Sequence, residues 1–276
     1  MSSTPHQQRD ATFAGSVPEL YESHMVPLIF APYADDMARR AAALSPRRVL
    51  ETAAGTGVVT RALARALPSE TEITATDLNP PMLARAQALG TVRPVQWQLA
   101  DAQALPFDDA SFDLVVCQFG AMFFPDKPGA FAEARRVLRP GGTLLFNVWD
   151  SLERNEFTAT VMEALAGLFP DDPPRFMART PHGYSDIEAI RRDVAAGGFT
   201  EEPRIETVAR RSRAPSPLHP AVAICQGTPM RDEIVKRGGE QGLDAATRAA
   251  EALLSQRYGA GEIESWIQAH VVTVTA

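Results

Sequence analysis

This chain of 276 residues has almost nothing that could staple it or anchor it. It holds two cysteines, Cys117 and Cys225, far apart and with no CxxC or Cys/His cluster nearby. That argues against a disulfide framework and a zinc module, and no metal site is expected. No run approaches the ~18 consecutive apolar residues of a membrane span. The opening MSSTPHQQRD lacks the basic-then-apolar order of a secretion signal, so the expected location is the cytoplasm. Basic side chains are in the minority: 27 Lys and Arg against 34 Asp and Glu give a net charge of −7. A dedicated nucleic-acid binder would carry the opposite balance, and no such partner is expected. Monomer and homodimer both remain open.

What is present is ample apolar content, 45% of residues, in a chain long enough to bury a core without staples. Residues 1–17 are polar and expected to be mobile at their start. Residues 18–44 read as helical pieces broken by Pro27 and Pro32, with Tyr33, Met37, Ala41 and Leu44 on one packed face. Then strands and helices alternate. RRVLETA (47–53), EITATDL (72–78), VRPVQWQLAD (92–101), SFDLVVCQFG (111–120) and TLLFNVWD (143–150) read as strands. VVTRALARAL (58–67), NPPMLARAQAL (79–89) and GAFAEARRVL (129–138) read as helices, the last stopped by Arg139-Pro140-Gly141-Gly142. In the helix 58–67, Arg61 and Arg65 are expected on the outer face. Five strands alternating with helices predict an α/β fold built on a doubly wound parallel sheet. Beyond residue 150, helices are expected at 156–169, 186–199, near 221–225 and at 246–259, with a proline-rich loop at 171–185. Strands are expected at 204–213 and 265–276. No repeat or linker divides the chain, and a single domain over 1–276 is expected.

The first strand ends in Glu51 and the small-residue turn Thr-Ala-Ala-Gly55-Thr-Gly57. Small residues there let backbone approach a ligand, and the following helix offers free N–H groups. Glycine turns between a strand and a helix are common, and a purely structural turn is the lesser reading of this segment alone. Asp77 ends the second strand, twenty residues after Gly57, where an acid can accept bonds from ribose hydroxyls. Its bland reading is a helix cap, which Asn79 suits better. Asp101 ends the third strand, and its bland reading is a turn aspartate. Glu51, Asp77 and Asp101 thus end three successive strands at one edge of the sheet.

VLETAAGTG, ATDLNPPMLARA, LADAQALPFDDASFDLVVCQFGAMFF and ARRVLRPGGTLLFNVW, in that order, resemble the class I S-adenosylmethionine-dependent methyltransferases. The chain is most similar to the ubiquinone/menaquinone-biosynthesis-like group, with the detail confined to about residues 45–150. The resemblance implies a seven-stranded, mostly parallel Rossmann-like sheet with an antiparallel last strand, N-terminal helices and an inserted helical cap. It implies an N-terminal lid over 1–44, a cofactor-binding core over 45–150, an insertion lining the acceptor pocket over 151–203, and last strands and helices over 204–276. It implies S-adenosylmethionine as cofactor. Glu51 would lie near its methionine moiety, with Ala53, Gly55 and Gly57 in the loop beneath. Asp77 would take the ribose, Leu78 and Met82 would line the adenine pocket, and Asp101 and Ala102 would contact the base. Gln118 and Phe119 would form the lip where cofactor and acceptor meet, and Tyr21 would be a lid residue touching the cofactor. Two departures stand out: Glu51 replaces the usual Asp, and Ala53 replaces the first glycine.

The implied reaction is methyl transfer to O, N or C of a small, partly apolar acceptor by in-line displacement. The protein mainly positions and desolvates. His24 is the candidate general base, beside Tyr21. Phe119, Phe123, Trp149 and Tyr184 are candidates for the acceptor wall, and His182 in the proline-rich loop could reach the same place. Two other readings stand beside this one. A nicotinamide-dependent oxidoreductase shares the glycine turn and the acid, but the full GxGxxG and a Tyr-x-x-x-Lys pair are absent. A non-catalytic S-adenosylmethionine-binding protein would share the whole cofactor site.

Overall fold

A computed structural model describes residues 17–276 of the chain. The expectation for the polar start falls on residues 1–16, outside the described residues. Seven strands form one sheet in the order β3-β2-β1-β4-β5-β7-β6. They are β1 (Arg48–Glu51), β2 (Glu72–Asp77), β3 (Gln96–Leu99), β4 (Phe112–Gln118), β5 (Leu138–Trp149), β6 (Arg204–Ala214) and β7 (Ile263–Thr275). The first five pair in parallel. β7 runs antiparallel to both of its neighbours and is inserted between β5 and β6. The order reverses between β1 and β4, where doubly wound sheets open a ligand crevice beyond the strands' carboxyl ends.

Helices cover both faces. On one, α2 (Ala31–Ala43) and α3 (Val58–Ala66) bury Met37, Ala41, Val59 and Leu63 against Val49, Leu114, Val116 and Leu145. On the other, α5 (Lys127–Val137) and α8 (Ile187–Ala196) pack over Leu144 and Phe146. The apolar spacing of α3 explains its placement, and its amide-rich N-terminus follows the glycine turn at once. Arg65 is exposed as the period requires. Arg61, expected beside it on the outer face, instead folds back. It donates to the Thr56 carbonyl (2.6 Å) and to Glu22 (2.7 Å), tying the turn to the N-terminal segment.

That segment is not broken at its prolines. Helix α1 (Val17–Leu20) runs into a π-helix, Tyr21–Phe30, and then into α2. Pro32 occupies the first turn of α2, where no N–H is required. Pro27 lies inside the π-helix, whose wider turn relaxes the clash of a proline ring with the preceding carbonyl. The rod is pinned at Tyr33, which is fully buried and donates its hydroxyl to the carbonyls of Val208 (2.8 Å) and Ile267 (3.2 Å). Met37 and Ala41 are buried beside it. Leu44, past the last turn, is 44% exposed rather than on the packed face.

The turn Arg139–Gly142 also departs from expectation. It continues β5 instead of standing as a loop, because Gly141 donates to the Ala276 carbonyl (2.9 Å) and Ala276 to that of Gly142 (2.8 Å). β3 is shorter than its apolar run, starting beyond Pro94, which has no N–H to give a ladder. The remaining helices are α4 (Pro80–Leu89), α6 (Glu156–Leu168), α7 (Phe176–Arg179), α9 (Leu218–Gln226) and α10 (Met230–Tyr258), the last interrupted at Gly239. Helix α10 absorbs the expected 246–259 segment and packs on α9 and α6.

Candidate active site

The ends of β1, β2 and β4 bring together most of the residues singled out above. Glu51 ends β1 and is buried, its Oε2 accepting from the Thr60 hydroxyl of α3 at 2.6 Å. Burial pushes its carboxyl up to about 8, with the neighbouring Asp77 adding to the effect and Thr60 opposing it. Asp77 ends β2, also buried. One oxygen accepts from the Gly55 amide and the other from the Asn79 amide, both at 2.7 Å. Burial raises its pKa too, against those bonds. Asp77 therefore braces the glycine turn from across the crevice. Asn79 precedes α4 but makes no side-chain capping bond; its amide nitrogen donates to Asp77 Oδ1 at 3.3 Å.

The turn itself holds three left-handed residues: Ala53 (φ 52°), Gly55 (φ 57°) and Gly57 (φ 81°). At Ala53 this conformation costs about 1–2 kcal/mol that glycine would avoid. The methyl is accommodated by a second glycine after β4. A Cβ at Gly120 would lie 2.5 Å from that of Ala53 and 2.8 Å from Cys117 Sγ. The pair reads as an exchange, an alanine on one loop matched by a glycine on the other, and nothing local in the sequence signals it. Above Gly55 there is room: a Cβ would meet only Met82 Cε at 3.7 Å and the Tyr21 hydroxyl at 4.0 Å.

Leu78 follows Asp77 and is 56% exposed, whereas Met82 is buried. Asp101 accepts from the Gln103 amide (2.9 Å) and side chain (3.3 Å), the geometry of a turn aspartate, with Ala102 partly buried beside it. Gln118 ends β4 and donates to the Phe30 carbonyl at 3.3 Å; its Oε1 is buried without a partner among the described residues. Tyr21 stacks on Phe30 at 4.9 Å. Its hydroxyl is pushed well above the usual phenol range by burial, and next by Asp77.

Tyr21 and Phe119 lead from this crevice into a partly open cavity lined mostly by apolar and aromatic side chains, the lining typical of small-molecule sites. Phe119 has φ 52°, and its amide donates to the Asn147 side chain at 2.9 Å. That holds its ring flat on Trp149, 3.7 Å between centroids and 6° between planes. Phe123, Phe176 and Met25 add apolar wall, while Thr228 from the α9–α10 corner and His182 add polar atoms. His182, in the proline-rich loop, is 7% exposed. Its loop context suggested the surface, but the loop turns inward and sets the imidazole beside the Asp150 carbonyl and the Trp149 ring at the end of β5.

Two candidates lie elsewhere. The Tyr184 hydroxyl donates to Asp193 at 2.8 Å, and the Lys127 ammonium lies 4.7 Å from its ring centre, outside the cavity lining. His24 stacks on His219 at 4.6 Å, and His219 donates to the His24 carbonyl. Burial lowers the pKa of His24, which lies at the junction of the π-helix and α9, outside the cavity lining.

The donor set fits S-adenosylmethionine. The buried carboxyl groups of Glu51 and Asp77 and the unpartnered Gln118 oxygen offer acceptors to hydroxylated groups, and a cation would be met by their ionised forms. The gap over Gly55 admits a ligand against backbone. Among the described residues there is no His/Cys/Asp/Glu cluster suited to a metal, and no helix long and apolar enough to cross a membrane.

Residues 50–146 match the model of a methyltransferase domain family. The demethylmenaquinone methyltransferase of Thermus thermophilus is 33% identical over 56% of this chain and 76% of its own length. A ubiquinone/menaquinone biosynthesis C-methyltransferase of Burkholderia mallei is 34% identical over 55% of this chain and 67% of its own. A Haemonchus contortus N-methyltransferase structure, solved with S-adenosylhomocysteine, shares the fold. Its TM-score is 0.61 at 16% identity, over 99% of this chain and 60% of that one. These findings do not favour the nicotinamide and non-catalytic readings. The chain belongs to the S-adenosylmethionine-dependent methyltransferases, in the group of the ubiquinone/menaquinone-biosynthesis enzymes.

Proposed function

We propose that the enzyme methylates a small, flat, largely apolar acceptor held in the Phe119–Trp149 cavity, with the cofactor in the crevice at the ends of β1, β2 and β4. The observation that carries this reading is the junction of two unlike spaces at Tyr21. One is walled by the buried acceptors of Glu51, Asp77 and Gln118, the other by stacked aromatic rings. When bound, S-adenosylmethionine supplies an activated methyl group.

This chain's residues do the rest. Glu51 meets the cofactor's ammonium and Asp77 its ribose hydroxyls. Leu78 and Met82 flank the base, with Asp101 and Ala102 at its polar edge. Ala53, Gly55 and Gly57 carry the backbone beneath it. Tyr21, on the π-helix, closes the crevice from above. Phe119, Phe123 and Trp149 grip the acceptor and exclude water, which favours a displacement that disperses charge. The chain acts as one methyltransferase domain over 1–276, with the helical N-terminus as lid and the acceptor walls drawn from 151–203 and the α9–α10 corner. The names of the curated relatives, which refer to quinone biosynthesis, agree with a planar ring as acceptor.

Calorimetric titration with S-adenosylmethionine and S-adenosylhomocysteine, beside NAD and NADP, tests the cofactor. Saturable binding of the first pair alone is expected. Incubation with a panel of planar arenes and linear amines, read as mass gain by one methyl, tests the acceptor class. Turnover confined to linear amines would overturn it.

A further inference from the structure

The aromatic slot alone does not say which acceptor groups the enzyme selects, but its polar lining does. Four of the polar lining side chains are Asn155, Thr158, His182 and Thr228. Two are spent inside the protein. The Asn155 amide donates to the Ser151 carbonyl (3.0 Å) and to those of Asp150 and Gln268 (3.3 Å each), and its oxygen accepts from the Gln268 amide (3.2 Å). Thr228 donates to the Ile224 carbonyl (2.8 Å) and accepts from the Met230 amide (3.2 Å).

His182 and Thr158 are not spent. The Nδ1 of His182 lies 2.8 Å from the Asp150 carbonyl, which can only accept. Nδ1 therefore carries the hydrogen and Nε2 is left as a bare lone pair. Nε2 and the Thr158 hydroxyl have no hydrogen-bond partner among the described residues, although the two side chains are only 7% and 6% exposed. The imidazole sits 6.2 Å from the Trp149 ring, at the edge of the stacked slot. Neither Nε2 nor the Thr158 hydroxyl is among the buried unpartnered polar atoms of the described residues, so both open onto the pocket. A ligand that covers the Nε2 lone pair without offering a donor shuts it off from solvent unpaired, which penalises any acceptor that brings none.

We propose that His182 is the specificity residue of the acceptor site: its Nε2 accepts a hydrogen bond from a hydroxyl on the ring lodged against Trp149, so the enzyme selects hydroxyarenes over arenes and ethers of the same shape. Thr158 lies within the same lining and can donate to that oxygen. The inference rests on the methyltransferase reading above and names the acceptor group within it.

The test is a calorimetric titration of the whole protein, saturated with S-adenosylhomocysteine, with naphthol and with fluoronaphthalene, a near-isostere lacking the donor. Naphthol is expected to bind about tenfold more tightly. His182→Leu should bring the ratio to about one while leaving fluoronaphthalene binding in place, and His182→Gln, which keeps an acceptor atom, should restore part of it. A merely structural histidine would weaken both ligands together. Should His182→Leu fail to fold, the wild-type ratio and a shift of the His182 Nε2 nitrogen resonance on adding naphthol, absent with fluoronaphthalene, decide instead. A wild-type ratio near one, a ratio that survives His182→Leu, or no naphthol binding would overturn the proposal. S-adenosylhomocysteine binding in those samples would leave the methyltransferase reading intact. Failure of S-adenosylhomocysteine itself to bind would overturn that reading, and the inference with it.

Discussion

The buried carboxyl of Glu51 makes cofactor binding a proton-releasing event. In the free protein, burial holds this group up to about 8, from an ordinary value of 4.5. At neutral pH it is mostly protonated, although the Thr60 hydroxyl and the charge of Arg61 oppose the shift. The ammonium of S-adenosylhomocysteine, paired with the ionised form, would draw the pKa down and expel the proton. Affinity should then rise about tenfold per pH unit between about pH 6 and 7 and level off near 8. It should fall only at higher pH, once the ligand's own ammonium loses its proton. At about pH 6.5, calorimetry in buffers of different ionisation enthalpy should register close to one proton released per site.

The same shift bears on stability. Because the folded value lies above the unfolded one, the contribution of Glu51 is fully present below 4.5 and is lost as pH rises through about 8. The loss amounts to at most about 5 kcal/mol. Glu51→Gln should therefore flatten both curves, binding weakly at every pH and gaining stability over the parent above about pH 8. Wild-type affinity that is level from about pH 6 to 7.5, with no proton released, would refute the reasoning.

Three further outcomes follow from the geometry. Asp77→Ala removes the carboxylate that braces Gly55 and Asn79, and should weaken S-adenosylhomocysteine binding by about 1–3 kcal/mol in a folded protein. Unchanged affinity would remove Asp77 from the site. Gly120→Ala drives a methyl against Ala53 and Cys117 and should destabilise by about 1–3 kcal/mol, whereas adding Ala53→Gly should recover part of that in thermal denaturation. Tyr33→Phe strips the hydroxyl shared by two buried carbonyls. It should cost about 1–3 kcal/mol and raise amide exchange in the π-helix before the sheet core, as read by hydrogen exchange.

Much of the fold is legible in the residues because its signals are local. The apolar runs of β1, β4 and β5, the helical period of α3 and the small-residue turn after Glu51 each act within about ten residues. Glu51 and Asp77 at their strand ends, and Asp101 in the turn just past β3, then fall at one sheet edge through chain connectivity alone. The features the sequence does not disclose depend on partners far away in the chain. β7 becomes an interior strand because β5 and β6 both offer it a ladder. The Arg139–Gly142 turn becomes strand because the chain's last residue bonds it. Pro27 sits within a helix because a π turn makes room for it. Ala53 can replace glycine only because Gly120 yields the space. His182 reads as a loop residue until the end of β5 meets it through Asp150 and Trp149, while Tyr184, two residues on, is drawn away by Asp193. By itself, the sequence determined the alternating α/β plan, the crevice and the acids at its edge, since period and turn chemistry are short-range. The tertiary structure alone decided which polar atoms of the acceptor cavity stay unspent, since hydrogen-bond satisfaction is settled only when distant segments have packed.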